Sequence, residues 1–276
     1  MVIRKLFLQL LCGLLCRAAH AGLDAARVHY VDIDDLTHNL LFRGNMPTND
    51  TGFAYDDLLA LMKERAANAS VEFPDDPYLH VISLNNIADG KDFSHEKKWW
   101  KQAPPALGTF TNWPLGVAGL LPPSAFSDAD KVRAMAAENS SQSVWKVDQI
   151  PSHVRTLSVL MGQLGPASRV RVLYVHCTAG CDRTGELIGA YRLANGMDGN
   201  GHDIVSTYAH DACEPSPAGK YGDGRFPNYY STGALEWYCI YDALYGRPVA
   251  NATAVAACTS FASCKPLGDC HPKQAS

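Results

Sequence analysis

One stretch of the sequence, residues 170–196, constrains the fold more than any other. It reads VRVLYVHCTAGCDRTGELIGAYRLANG. Its first residues form a short β-branched apolar run, which is typical of a buried strand. An amphipathic pattern follows and ends at Asn195-Gly196, a common helix stop. The stretch therefore predicts a strand, a tight loop and a helix in direct succession.

The loop between that strand and that helix has the composition of an anion-binding site. It reads His176-Cys177-Thr178-Ala179-Gly180-Cys181-Asp182-Arg183-Thr184-Gly185. A loop this short at a helix N-terminus turns several backbone N–H groups inward, and such a nest binds a tetrahedral oxyanion such as phosphate. The same field stabilises a thiolate and can lower a cysteine pKa to about 3.5–7.5. We therefore expect residues 178–183 to bind phosphate above Cys177.

Cys177 is the candidate nucleophile, and Arg183 supplies a planar fork for two phosphate oxygens. Attack of the thiolate on phosphorus would give a cysteinyl phosphate, which water then hydrolyses. Thr184 can donate a hydrogen bond to the sulfur and help it to leave. His176 is interpreted as a structural histidine whose hydrogen bonds shape the loop, and Gly185 as a structural neighbour of the site.

The motif His176-Cys177-x5-Arg183-Thr184-Gly185 resembles the signature loop of the cysteine-based protein tyrosine phosphatase superfamily. Asp182, directly before the arginine, is similar to the atypical dual-specificity and lipid phosphatases of bacterial type, with the loop H-C-x-x-G-K-D-R-T-G, and to the myotubularins. The resemblance implies the three-layer phosphatase fold and phosphomonoester hydrolysis without a cofactor. Cys181 stands where the bacterial loop has lysine, so the additional cation for a multiply charged ring is absent.

The general acid has three candidate positions. Classical tyrosine phosphatases deliver it from a Trp-Pro-Asp loop, but this chain has Trp113-Pro114-Leu115. Loss of an acid costs about 10²–10⁴-fold in rate. Asp182 is the first candidate, because the resembling loops are thought to use that position, although it could instead be structural. Asp148 is second, upstream of the nucleophile at an interval similar to dual-specificity enzymes, and Asp128 or Asp130 is third.

Residues 1–21 have the features of a secretory signal peptide, namely basic residues, a short apolar run and an Ala-x-Ala cleavage site. Neither this run nor any later segment is long enough to span a bilayer comfortably. Four N-x-Ser/Thr sequons agree with export: Asn49, Asn68, Asn139 and Asn251. We therefore expect a secreted or lumenal glycoprotein with a phosphatase-like domain over residues 22–248 and a cysteine-containing tail over residues 249–276.

Seven of the nine cysteines remain after signal cleavage. An odd number in an oxidising compartment implies at least one free thiol, and Cys177 is the natural candidate. The others could form three disulfides: Cys181, Cys213, Cys239, Cys258, Cys264 and Cys270. The alternative is a Cys177–Cys181 disulfide that protects the nucleophile from over-oxidation.

Charge excludes several partner classes. The whole chain has a formal charge of −4, and the signal peptide removes three basic and no acidic residues. An acidic chain without a basic run is a poor partner for nucleic acid or anionic membranes. No His/Cys/Asp cluster has zinc or EF-hand spacing, so we expect no metal requirement. Lys220 and Arg225, in a long irregular segment, could reach a substrate phosphate or lie in a solvated loop.

The remaining patterns predict a short strand and a turn over 39–47, and strands over 78–84 and 108–113. They also predict helices over 56–67, 96–102, 149–164 and 232–244. This alternation predicts an α/β domain with a largely parallel central sheet flanked by helices. The expected function is hydrolysis of a phosphorylated protein, phosphotyrosine above all, or of a small phosphomonoester. The alternatives are a phosphoinositide or inositol phosphate phosphatase, a catalytically silent phosphate-binding module, and a thiol oxidoreductase that uses Cys177 and Cys181.

Overall fold

The computed structural model describes residues 22–49, 52–86, 89–116, 126–136, 143–195 and 229–242, together with Pro123 and Tyr245. The strands in these ranges are β1 His29–Ile33, β2 Leu40–Asn45, β3 Thr48–Asn49, β4 Gly52–Phe53, β5 Tyr78–Ser83, β6 Gly108–Asn112 and β7 Arg171–Cys177. The α-helices are α1 Tyr55–Asn68, α2 Gly90–Gln102, α3 Asp128–Ala136, α4 Ile150–Met161, α5 Asp182–Ala194 and α6 Tyr229–Tyr241.

Strand β7 lies at the centre of a five-stranded sheet of order β1-β2-β7-β5-β6. Strands β2, β7, β5 and β6 are parallel, and β1 is antiparallel to β2 at the edge. Cys177 is in register with Asn45 of β2, and His176 with Ser83 of β5. The carboxyl ends of three neighbouring parallel strands therefore surround the nucleophile loop, which is where open α/β sheets bind ligands.

Both faces of the sheet are covered by helices. Leu41, Ile82 and Leu173 pack on one face with apolar residues of α4, α5 and α6. Phe42 and Val81 pack on the other face with α1, while Trp99 and Trp100 of α2 border that cluster. Every residue of β2 and β5, and every residue of β7 after Arg171, is buried, as expected of parallel strands covered on both faces. The predicted α/β architecture, with a largely parallel sheet between helices, is confirmed.

The main strands and the nucleophile segment form where the sequence predicts them, but several boundaries differ. Helix α2 begins at Gly90, not at Glu96, and α4 ends at Met161. The edge strand β1, the β3–β4 pair and helix α3 were not predicted. Asp128 and Asp130, the third candidates for the general acid, lie in the first turn of α3.

Other predictions fall partly or wholly outside the described residues. These include the signal peptide, the tail over residues 249–276, Lys220, Arg225, Cys213 and the sequons at Asn139 and Asn251. Asn49 and Asn68, the acceptor residues of the other two sequons, are described and exposed. No helix within the described ranges has the length and apolar character needed to cross a membrane.

Candidate active site

Cys177 is the last residue of β7, and α5 begins five residues later at Asp182. Its side chain is 2% exposed and is a free thiol. In the intervening loop Gly180 has φ +69°, a left-handed conformation that favours glycine. A Cβ at Gly180 would overlap the backbone of Gly44 and Asn45 in β2. The loop therefore closes tightly against the end of the neighbouring strand.

Strand β2 also binds the loop through hydrogen bonds. The Arg43 guanidinium, 2% exposed, donates to Gly180 O at 2.5 Å, and Met46 N donates to Thr178 O at 3.3 Å. Two carbonyl groups of the loop are thus turned toward β2. The N–H groups in the first turn of α5 have no intrahelical acceptor, as at any helix N-terminus. This is the arrangement expected of a phosphate-binding nest.

Arg183 is held by a bidentate ion pair with Asp89. Its Nη1 and Nη2 donate to the two carboxylate oxygens at 2.7 Å each, and Nη1 also donates to Leu84 O at 3.3 Å. Asp89 thus occupies the two N–H groups at the Nη1–Nη2 end of the guanidinium, and Leu84 O occupies the other N–H of Nη1. No described residue accepts a hydrogen bond from Nε. The parallel N–H groups of Nε and Nη2 remain available for two oxygens of one ligand.

Asp89 immediately precedes α2, and its side chain binds the nucleophile loop at a second point. It accepts hydrogen bonds from Thr178 Oγ1 at 2.6 Å and from Asn86 N at 2.7 Å. Burial alone would raise the pKa of Asp89. The hydrogen bonds and positive charge of Arg183, together with the hydrogen bonds from Thr178 and Asn86, nevertheless hold that pKa below its usual value. Asp89 is therefore an anionic positioning group at neutral pH and not a proton donor.

Arg183 is likewise charged at neutral pH. Burial would lower the pKa of Arg183, but the bonds to Asp89 and the nearby Cys177 and Asp182 raise that pKa. The sequence did not identify Asp89 as a site residue. Its position in the turn after strand β5 could have indicated this role, because the carboxyl ends of neighbouring parallel strands meet at one edge of the sheet.

His176 and Glu96 form a fully buried contact next to the nucleophile. His176 Nε2 lies 2.9 Å from Glu96 Oε1, and both side chains are 0% exposed. The second carboxylate oxygen of Glu96 accepts from Ser83 Oγ at 3.1 Å. Glu96 was assigned to a helix by its sequence but not to a site, because only the tertiary fold brings α2 beneath β7.

The candidate acids occupy three different environments. Asp182 is the first residue of α5, partly exposed and directly before Arg183. Asp148 is 1% exposed and accepts from Gly116 N at 2.9 Å. Asp130 is exposed on α3, where it accepts from Ser127 Oγ at 2.6 Å, and the side chain of Asp128 is outside the described part of the structure. Only Asp182 belongs to the nucleophile loop.

Asp148 contacts the segment that follows strand β6 and contains Trp113-Pro114-Leu115. That segment, residues 113–116, runs beside the end of β5, where Leu115 N donates to Leu84 O at 3.2 Å. The side chain of Leu115 is buried in the core and has no acidic group, so it cannot act as a general acid. The bond from Gly116 N therefore gives Asp148 a structural contact at the same edge of the sheet.

The other predicted loop residues are placed as follows. Ala179 is partly exposed, and Gly185 N donates to Cys181 O at 2.7 Å. Thr184 is 0% exposed, and its hydroxyl makes no hydrogen bond within the described part of the chain. Cys181 is disulfide-bonded, whereas Cys177 is free. The alternative Cys177–Cys181 disulfide is therefore absent from this structure.

Replacing Asp89 with Ala is expected to lower the free energy of unfolding by about 2–4 kcal/mol, because it leaves the partly buried Arg183 charged and without its partner. Since the folded-state pKa of Asp89 is lowered, the wild-type advantage is full above the ordinary carboxyl pKa. It is lost as the pH falls through the lowered value. Urea denaturation of both proteins across acidic pH measures this difference.

Asp57→Ala is the matched control, since Asp57 is an exposed carboxylate in the first turn of α1. This control is expected to change stability by no more than about 0.5 kcal/mol. An Asp89→Ala protein as stable as the control at neutral pH would contradict the structural importance of the Asp89–Arg183 pair.

None of the models of known protein families matches this chain, and none of the curated proteins compared with it is significantly similar. A function for this site must therefore be inferred from the motif and its geometry.

Proposed function

We propose that this protein is a phosphomonoester hydrolase of the protein tyrosine phosphatase type, acting through a cysteinyl-phosphate intermediate. One arrangement carries the proposal: the buried free thiol of Cys177 and the Asp89-bound guanidinium of Arg183 belong to one tight loop at the N-terminus of α5. A nucleophile and a bidentate anion fork at the same nest are the parts that phosphoryl transfer requires. The parallel sheet between helices supports a three-layer phosphatase fold.

The reaction proceeds in two steps. The Cys177 thiolate attacks phosphorus while the bond to the leaving ester oxygen breaks, and a proton from the general acid neutralises that oxygen. Water then attacks the phosphorus, gives its proton to the same carboxylate and releases phosphate and the thiolate. Nε and Nη2 of Arg183 bind two non-bridging oxygens throughout. The Thr184 hydroxyl, which makes no hydrogen bond to a described residue in this structure, is the proposed donor to the departing sulfur.

Asp182 is the general acid in this proposal. It lies in the loop and is partly exposed, whereas Asp89 is paired with Arg183 and Asp148 is buried against Gly116. A partly exposed carboxylate at the mouth of the nest can exchange protons with water between the two steps. Asp148 is the alternative acid.

Phosphotyrosine in a protein is the leading substrate class. The variable loop positions Thr178, Ala179 and Cys181 carry no charge, and the charge of Arg183 is already matched by Asp89. These residues suit a single phosphate on an aromatic ring better than a multiply charged inositol ring. A phosphoinositide or inositol phosphate is the alternative substrate, and a silent phosphate-binding module is the alternative function.

We also propose that the protein acts in the secretory lumen or outside the cell. Residues 1–21 would direct it there, and the exposed Asn49 and Asn68 are accessible to glycosylation.

The full chain is expected to hydrolyse nitrophenyl phosphate and phosphotyrosine peptides, and Asp182→Asn is expected to affect the two substrates differently. On the peptide, kcat falls by about 10²–10⁴-fold, because the phenolic oxygen leaves poorly without a proton. On nitrophenyl phosphate the loss is much smaller, because nitrophenolate leaves readily as an anion. Steady-state kinetics on both substrates measure the ratio.

Asp148→Asn is the matched control for this substitution, since it makes the same change at a carboxylate outside the loop. Any loss in this control is expected to be similar on both substrates. Equal losses for Asp182→Asn would exclude Asp182 as the acid. Phosphate binding by the wild-type chain without turnover of either substrate would favour the silent module and overturn the hydrolase.

A further inference from the structure

A buried asparagine, Asn45, joins the end of strand β2 to the first residues that the structure describes. Asn45 is only 5% exposed. Its Oδ1 accepts from Asp24 N at 3.0 Å, and its Nδ2 donates to Gly22 O at 2.8 Å. A carboxamide offers both a donor and an acceptor, so this one side chain binds the backbone of residues 22–24 as a neighbouring strand would.

Residues 22–28, the N-terminal segment, are fixed at further points. Leu23 N donates to Thr48 O at 3.1 Å, and the Leu23 side chain packs on the apolar cluster between the sheet and α1. Farther along the segment, Arg65 of α1 donates from Nε to Val28 O at 3.1 Å. The segment is therefore bound between the end of β2 and α1.

The same end of β2 touches the nucleophile loop on its other side. Asn45 is in register with Cys177 on the neighbouring strand, and Met46 N donates to Thr178 O at 3.3 Å. A Cβ at Gly180 would overlap the backbone nitrogen of Asn45. The backbone of Asn45 thus contacts the loop, while its side chain contacts the N-terminal segment. A displacement of this strand end would be passed directly to the loop.

The buried position of Asn45 makes the two contacts interdependent. Without residues 22–24, the carboxamide would lose both partners, and a buried polar group without hydrogen bonds costs free energy. The strand end would then move to hydrate it, and the loop with it. We infer that Asn45 is a positioning residue for the phosphate-binding loop and acts by binding residues 22–24 against the end of β2. This inference rests on the proposed function, in which the loop binds the phosphate of the substrate.

Asn39→Ala is the matched control for Asn45→Ala in the full chain. Asn39 is 0% exposed and directly precedes β2, at the opposite end of the strand from the loop. Its carboxamide also binds backbone groups, since Nδ2 donates to Met161 O at 2.7 Å and Oδ1 accepts from Arg171 N at 2.6 Å. The two variants therefore remove the same kind of buried contact at the two ends of one strand.

Asn45→Ala is expected to raise KM and lower kcat for nitrophenyl phosphate, so that kcat/KM falls about tenfold, because the donors of the loop are displaced. Calorimetry is expected to show weaker binding of inorganic phosphate by a similar factor. Asn39→Ala is expected to lower stability but to retain both wild-type values well below its melting temperature. Unchanged kcat/KM and phosphate affinity in Asn45→Ala would overturn the inference, and so would an equal loss in Asn39→Ala.

Two substitutions at Asp24 test whether Asn45 acts through the N-terminal segment. Asp24→Pro removes the N–H that binds Asn45, whereas Asp24→Ala keeps that N–H and removes only the carboxylate, which accepts from Ala26 N at 3.0 Å. The proline variant is expected to reproduce most of the loss in Asn45→Ala, and the alanine variant to remain close to wild type. Combining Asp24→Pro with Asn45→Ala is expected to add no further loss, and additive losses would contradict action through the segment.

Hydrogen exchange followed by mass spectrometry tests the inference in the wild-type chain. Coupling between two sites is reciprocal, so saturation of the loop with inorganic phosphate is expected to slow amide exchange in residues 23–28. The peptide around Gly162, at the other edge of the sheet, is expected to exchange at an unchanged rate. Bound phosphate without any effect on residues 23–28 would overturn the inference even if the variants do not fold.

Failure of the proposed function is distinguishable from failure of this inference. A chain that neither binds nor hydrolyses phosphate would overturn the hydrolase. In that case the exchange of amides 178–183 is still expected to be faster in Asn45→Ala than in Asn39→Ala, because the loop loses its support from β2. Equal exchange of these amides in the two variants would overturn the inference itself.

Discussion

Replacing Cys177 with Ser is expected to abolish hydrolysis of nitrophenyl phosphate, with a fall in kcat of about 10⁴-fold or more. The hydroxyl is smaller than the thiol and preserves the loop, but it ionises too weakly at neutral pH to act as the nucleophile. Inorganic phosphate binding is expected to be retained, because Arg183 and the N-terminus of α5 remain in place. Initial rates and calorimetric titration with phosphate measure the two properties separately.

The control for this experiment is wild-type turnover measured with and without a thiol reductant. Cys177 is free and Cys181 is disulfide-bonded, so wild-type turnover is expected without added reductant. A strict requirement for reductant would show that Cys177 is oxidised in solution. Substantial turnover by Cys177→Ser would exclude the cysteinyl-phosphate mechanism.

Replacing Gly180 with Ala is expected to reduce kcat/KM by about 10²-fold or more. The residue has φ +69°, and the added Cβ would overlap Gly44 and Asn45, whose backbone belongs to the sheet and cannot yield without disturbing β2. The loop must therefore move away from β2, which displaces the donors that surround the phosphate. The free energy of unfolding is expected to fall by about 1–3 kcal/mol.

Gly162→Ala is the matched control, because Gly162 directly follows the last residue of α4 and has an ordinary φ of −80°. A Cβ there would lie 3.8 Å from Val159 O, an ordinary contact. This variant is expected to retain wild-type kinetics and to change stability by about 0.5 kcal/mol or less. Unaltered kinetics in Gly180→Ala would show that the closure of the loop against β2 is not required for activity.

The parts of the fold that depend on local patterns were predictable. Strands β2, β5 and β7 each contain a short run of large apolar residues, β6 alternates Thr with Phe, and α1 has a clear helical period. The two-residue strands β3 and β4 have no period to detect, and β1 alternates too weakly to stand out. Helix α2 begins with Gly90 and mostly polar residues, so the apolar pattern predicted a helix start later than the observed one.

The candidate site likewise contains parts that the local sequence predicts and parts that depend on the tertiary structure. The order of strand, cysteine, tight loop, arginine and helix lies within residues 170–196, where neighbours in the sequence are also neighbours in space, so the sequence alone determined the loop and its chemistry. The tertiary structure alone decided its partners, with Asp89 on Arg183, Glu96 on His176 and the end of β2 against Gly180. These groups are distant along the chain, and parallel strand pairing brings them to one edge of the sheet, a relation that no local pattern contains.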